Sequence, residues 1–114
     1  MDTHGFAEGW LDIGALDEVP RQGARTVATA GGPIAVFRTH DDAVFALDDR
    51  CPHKGGPLSQ GIVHNKRVTC PLHNFVIELD SGKAVAPDEG CTHSHAAKVE
   101  NGIVWLSVRQ TAAA

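Results

Sequence analysis

The chain has 114 residues, enough for one domain that buries roughly 60–70% of its unfolded surface and too few to hold a flavin or nicotinamide domain as well. Ten Lys and Arg against fourteen Asp and Glu give a formal charge of −4, which offers no basic footprint to nucleic acid or an anionic membrane and points to proteins as partners. The opening MDTHGFAEGW lacks the basic region and apolar stretch of a secretory signal, and no run reaches the roughly eighteen apolar residues of a spanning helix, so the expected location is the cytoplasm.

Short β-rich runs alternate with turn residues, the pattern of an all-β domain. The expected strands run from Trp10 to Ile13, Arg25 to Thr29, Ile34 to Thr39, Val44 to Leu47, Arg67 to Cys70, Phe75 to Leu79, His95 to Glu100 and Ile103 to Val108. Leu16 to Gly23 reads as a longer connection with room for one helical turn. Gly31-Gly32-Pro33 and Asp80-Ser81-Gly82-Lys83 read as turns. Asn101-Gly102 is the strongest hairpin signal, because both central positions of a type I′ turn need positive φ. Val27, Ile34, Val36, Val44, Leu47, Val99, Ile103 and Trp105 are the expected core of a small sandwich or barrel of antiparallel sheets, with residues 48–83 inserted as a subdomain that carries the site. Trp10, Trp105, Phe37, Phe45 and Phe75 read as core or cross-strand aromatics.

Two short pairs hold the chemistry. Cys51-Pro52-His53 and Cys70-Pro71-Leu72-His73 each offer one thiolate and one imidazole, separated by residues 54–69. Two loops of this kind can close around two irons, with both thiolates on one and both imidazoles on the other. Replacing two anionic thiolates by neutral imidazoles leaves the oxidised centre close to uncharged, so its potential rises into a range of about −150 to +300 mV. Structural zinc is the first alternative, since Cys2His2 is a common tetrahedral set, but zinc modules usually pair Cys with Cys and His with His. A Cys51–Cys70 disulfide is the second, and it leaves both histidines unexplained in a chain of three cysteines. Gly55-Gly56-Pro57 supplies a stretch in which backbone amides can approach sulfur closely. Phe75, two residues after His73, is placed to shield such a centre from water.

Other reactive side chains have plainer readings. Cys91 reads as a small packed or partly exposed residue rather than a ligand or redox sensor, and His4, His40 and His64 as surface residues. His93 and His95 form a His-x-His that fits edge or surface positions better than a second metal site. Lys54, Lys66 and Arg67 lie near the loops in sequence, where they either steer docking to an acidic partner or simply form a solvated face. No glycine-rich dinucleotide fingerprint follows a strand, so no residue is expected to be catalytic.

The run CPHKGGPLSQGIVHNKRVTCPLHNFVIELDSG, from Cys51 to Gly82, resembles the Rieske-type [2Fe–2S] family. Its wording, together with the later Asp88-Glu89-Gly90-Cys91, is most similar to the small subunit of assimilatory NAD(P)H-dependent nitrite reductase. The resemblance implies a Rieske fold for residues 1–114, with Cys51 and Cys70 on the inner iron and His53 and His73 on the outer one. It also implies a redox subunit that docks on a large flavin- and sirohaem-bearing polypeptide and helps electrons from NAD(P)H reach nitrite. A free Rieske ferredoxin that feeds an oxygenase is the alternative, and a zinc-stabilised or structural interaction module the third. High-potential Rieske proteins carry an extra cysteine in each loop at positions that are Gly56 and Leu72 here, and they use a tyrosine hydroxyl that this chain lacks. The resemblance therefore implies a potential in the lower part of the Rieske range.

Overall fold

The computed structural model describes residues 10–29, 32–51, 56–71, 75–85 and 90–107. The described chain is all-β and antiparallel, in ten strands: β1 (Trp10–Ala15), β2 (Gly23–Thr29), β3 (Gly32–Arg38), β4 (Val44–Asp48), β5 (Ile62–His64), β6 (Arg67–Thr69), β7 (Val76–Glu78), β8 (Ser94–His95), β9 (Ala97–Glu100) and β10 (Ile103–Ser107). They form three sheets, with orders β1-β10-β9, β2-β3-β4-β8 and β5-β6-β7.

The middle sheet explains the layering. Along β3 and β4 successive side chains point to opposite faces, and here both faces are covered. Ile34, Val36, Val44 and Ala46 join Ile13, Val19, Val104 and Leu106 in one apolar cluster shared with β1 and β10. Ala35, Phe37 and Leu47 join Leu58, Val63, Val68 and Ile77 in a second cluster on the other face, shared with the β5-β6-β7 sheet. The near-continuous apolar run of β3 is thus that of a strand buried on both faces. Phe37 stands directly opposite Phe45 on β4, as a cross-strand aromatic pair.

The expected core is partly redistributed. Leu47 is buried, but on the face opposite to Val36. On β10 the expected pair is replaced: Val104 and Leu106 are buried, whereas Ile103 and Trp105 are only partly so. Both alternating sets of that strand are apolar, and a strand's period of two makes the choice of face turn on a single residue of register. Val27 and Val99 sit at the margin of the first cluster.

The turns follow local chemistry. Asn101 and Gly102 have φ of 54° and 78°, the two positive values a type I′ hairpin needs. Leu16–Glu18 is a 3-10 turn inside the expected connection. The stretch expected as one strand from His95 to Glu100 is split at Ala96 into β8 and β9, which lie in different sheets. A second 3-10 turn, Leu58–Gln60, and strand β5 were not expected. At the β3–β4 turn, Arg38 donates to Asp42 through Nε at 3.0 Å and through Nη1 to the carbonyls of Val19 and Leu16.

Candidate metal centre

Cys51 follows β4 after two residues, and Cys70 follows β6 directly. Each begins a loop closed in the same way. The Cys51 N–H donates to the Gly56 carbonyl at 2.7 Å, and the Cys70 N–H donates to the Phe75 carbonyl at 2.6 Å. In both cases the acceptor lies five residues on, so two loops of equal length open from two cysteines. Both side chains are buried, 1% and 0% exposed, within the same apolar cluster. None of the three cysteines is in a disulfide, which removes the expected alternative of a Cys51–Cys70 bridge.

His53 and His73, the expected imidazole ligands, lie outside the described residues, as do Lys54, Leu72 and Asn74. In sequence each histidine falls inside one of the two closed loops. The donor set fits a mixed-ligand [2Fe–2S] centre: two buried thiols share one apolar cluster, and each is coupled through a short closed loop to a histidine two or three residues on. Phe75 is partly buried and packs against the cluster that holds both cysteines, as its position suggests. Apolar side chains around such a site limit solvent access and thereby affect potential.

Close backbone approach joins the segment before β5 to the strand that leads into Cys70. Gly61 precedes β5, and a Cβ placed on it would collide with the Thr69 carbonyl and come within 2.9 Å of Val68 Cγ2. Thr69 adjoins Cys70, so a bare glycine lets β5 settle against the strand that ends in a cysteine. Ile62, paired with Thr69, is 70% exposed and is the only large apolar side chain so exposed among the described residues.

The remaining expectations divide. Cys91 is exposed, in an isolated bridge with Lys83. His93 is exposed; His95 is on the edge strand β8, as one of the two expected positions has it, but it is buried, its Nε2 lies 2.8 Å from Asp48 Oδ1, and its ring centroid is 4.6 Å from that of His93. The sequence gives no sign of this, because the Asp48 partner lies 47 residues away. His40 is exposed, His4 lies outside the described residues, and His64 is half-buried with its Nε2 2.8 Å from Thr69 Oγ1. Lys66 and Arg67 occupy the turn end of the β5–β6 hairpin, opposite the end that leads into Cys70, and Arg67 pairs with Glu78 at 3.7 Å. Both side chains are exposed. A cleft of about 580 Å³ lies at this turn end, lined by residues that include His40, Asp41, Lys66 and Asp80, with neither cysteine among them. Among the described residues no three His, Cys, Asp or Glu side chains gather to hold a metal ion, and no helix is long and apolar enough to cross a membrane.

Residues 9–89 match the Rieske [2Fe–2S] domain family. The chain belongs to that family: it is a Rieske electron-transfer domain, and its cofactor is a Rieske-type [2Fe–2S] cluster. It is 33% identical over 102 residues to the ferredoxin subunit of a 3-phenylpropionate/cinnamic acid dioxygenase of Photorhabdus laumondii, covering 88% of this chain and 95% of that protein. Some relatives are much longer, and the match to a cholesterol 7-desaturase of Hemicentrotus pulcherrimus, 31% identical over 81 residues, spans 17% of that protein. Among solved structures, one assigned as the small subunit of an NADPH nitrite reductase superposes with a TM-score of 0.76 at 25% identity, covering 85% of this chain and 96% of that one. A complex of reduced oxygenase and oxidized ferredoxin in carbazole 1,9a-dioxygenase includes a chain with the same TM-score and identity, covering 89% of this chain and 94% of that one.

Proposed function

We propose that this protein is the electron-transfer small subunit of an NAD(P)H-dependent nitrite reductase, with Cys51, His53, Cys70 and His73 as the ligands of its cluster. The twin loops carry the first half of this reading. Two buried cysteines, each with its N–H tied to the carbonyl five residues on, form a matched pair, and a preorganised pair of this kind suits a site that must hold its geometry in two redox states. When bound, a [2Fe–2S] cluster supplies one-electron transfer. The protein's own part is to bury the thiolates and to limit water through Phe75 and Leu58. Residues 1–114 act as one domain with 48–83 as its cluster-binding subdomain. Cytoplasmic placement agrees with three cysteines of which none is in a disulfide.

The choice of partner rests on the wording of the loops. Cys-Pro-His-Lys-Gly-Gly-Pro-Leu, Cys-Pro-Leu-His-Asn and Asp-Glu-Gly-Cys resemble nitrite reductase small subunits, and the structural likeness to one of them covers nearly all of that chain. The partner would be the large flavin- and sirohaem-bearing polypeptide. The described residues 56–63 and 68–71 carry no charged side chain, and Ile62 projects among them, so docking there would rely on apolar contact more than on ion pairs. The second reading, a ferredoxin that serves an oxygenase, is favoured by the dioxygenase ferredoxin matched over 95% of its length.

The test begins with anaerobically purified protein reduced by dithionite. A rhombic EPR signal of low average g, with iron and acid-labile sulfide on the same sample, supports histidine ligation; an iron-free, silent sample of cofactor-replete protein sinks the electron-transfer reading. Reoxidation of the reduced protein is then followed with a sirohaem nitrite reductase polypeptide and with an oxygenase. Stable complex formation and rapid reoxidation with the first support the nitrite reductase assignment, whereas turnover with the second alone replaces it by the ferredoxin reading.

A further inference from the structure

The two cysteine loops are closed alike at their inner rung but not outside it. Beyond the Cys70–Phe75 bond, the second loop is flanked by strands of one sheet, with Thr69 paired to Val76 and Val68 to Ile77. The first loop has no such ladder, because β4 and β5 on its two sides belong to different sheets. A side chain occupies the corresponding place. Asp49, the residue after β4, accepts the Ser59 N–H on Oδ1 at 2.7 Å and the Ser59 hydroxyl on Oδ2 at 2.7 Å. The Thr26 hydroxyl of β2 donates to the same Oδ2 at 3.2 Å, and the Asp49 N–H donates to the Pro33 carbonyl at 3.1 Å. One carboxylate therefore joins the end of β4, the 3-10 turn Leu58–Gln60 and β2, and the segment it closes, residues 50–58, contains Cys51 and His53.

We propose that Asp49 is the positioning residue of the first loop, its carboxylate standing in for the strand pairing that secures the second. The inference rests on the reading of Cys51 as a cluster ligand. A carboxylate suits the role because an ionised group accepts several charge-assisted hydrogen bonds at once. An Asn would keep an acceptor for the Ser59 N–H and could donate to the Ser59 hydroxyl, but could not take both hydroxyl protons on its second atom.

The test measures, in the cluster-loaded full chain, the rate of visible bleaching under an iron chelator and the EPR spectrum of the reduced protein. Asp49→Ala is expected to lose its cluster faster by about ten- to hundredfold, the scale found for partners of metal ligands, with shifted g values. Asp49→Asn should fall closer to the parent, and Ser59→Ala between the two. Asp42→Ala, which breaks a carboxylate contact with Arg38 away from the loops, should lower the melting temperature while leaving the bleaching rate and g values unchanged. Should Asp49→Ala not fold, parental rates and g values in both Asp49→Asn and Ser59→Ala overturn the proposal, as do parental values in Asp49→Ala itself. Cys51→Ser separates the two readings: it should abolish the cluster, and a retained spectrum there would reject Cys51 as a ligand whatever Asp49 does.

Discussion

The Cys70 N–H donates to the Phe75 carbonyl at 2.6 Å, and Phe75 packs against the apolar cluster in which Cys70 is wholly buried. One residue thus fixes the far end of the loop through its backbone and shields the cysteine's surroundings through its ring. The same bond at Cys51 ends on Gly56, which has no side chain to add. Leu58, two residues later, is a buried apolar side chain of the same cluster.

Leu58→Ala is expected to cost about 2–5 kcal/mol of unfolding free energy, as for other buried leucines truncated in cores, and to weaken cluster retention. Leu58 is the buried residue of its 3-10 turn and lies in the same apolar cluster as both cysteines. Ile34→Ala, in the cluster on the opposite face of the middle sheet, should cost a similar amount, about 2–5 kcal/mol, with little change in the visible spectrum. Denaturant unfolding with absorbance on the same samples checks both, and equal bleaching in the two variants would contradict the separation of faces.

Gly61→Ala should destabilise the protein by about 1–3 kcal/mol, the usual range for overpacking, although its φ of −81° suits any residue. The new methyl would meet the Thr69 carbonyl and Val68 Cγ2, so β5 must move off the strand that leads into Cys70. A melting temperature equal to the parent's would show that this approach is looser than described. Gly82→Ala adds a second difficulty, a φ of +76° together with a collision at the Thr92 carbonyl, and should be worse tolerated.

Asp42 gives an acid-side prediction. Its carboxyl is held below the ordinary value of 3.8, chiefly by the hydrogen bond from Arg38 and with a smaller contribution from the charge of Arg21. A depressed folded-state value means that its contribution is complete above 3.8 and fades as pH falls through the folded-state value. Asp42→Asn preserves a residue type that tolerates the positive φ of 67° there. Its melting temperature should lie below the parent's at pH 6, and the gap should close as the pH drops below 3.8. A gap that is constant with pH would mean that the ionised carboxylate is not the stabilising form.

The midpoint potential should fall in the lower part of the range of about −150 to +300 mV for Rieske centres. The chain has no tyrosine to donate a hydroxyl toward cluster sulfur and no second pair of loop cysteines. Spectroelectrochemical titration measures this directly, and a value near the upper end would require another donor.

The sequence by itself determined the chemistry and much of the strand pattern. Two mixed Cys/His pairs are local motifs, legible because a ligand set is written in residue type and spacing. The Asn101-Gly102 hairpin is equally local, since two positive φ values constrain the residues that can supply them. Of the β5–β6 hairpin only β6 is legible in the sequence, because β5 is three residues long and the turn between them reads Asn65-Lys66 rather than Asn-Gly. Only the tertiary structure decided which face each apolar residue serves. Leu47 and Val36 look alike in sequence but lie on opposite sides of a sheet covered twice, and Trp105 yields to Val104 and Leu106 through a single residue of register. The contacts of Asp49 with Ser59 and of His95 with Asp48 are likewise not written in the sequence. They join residues 10 and 47 positions apart, and such pairings arise when sheets assemble, not from any preference of the residues themselves.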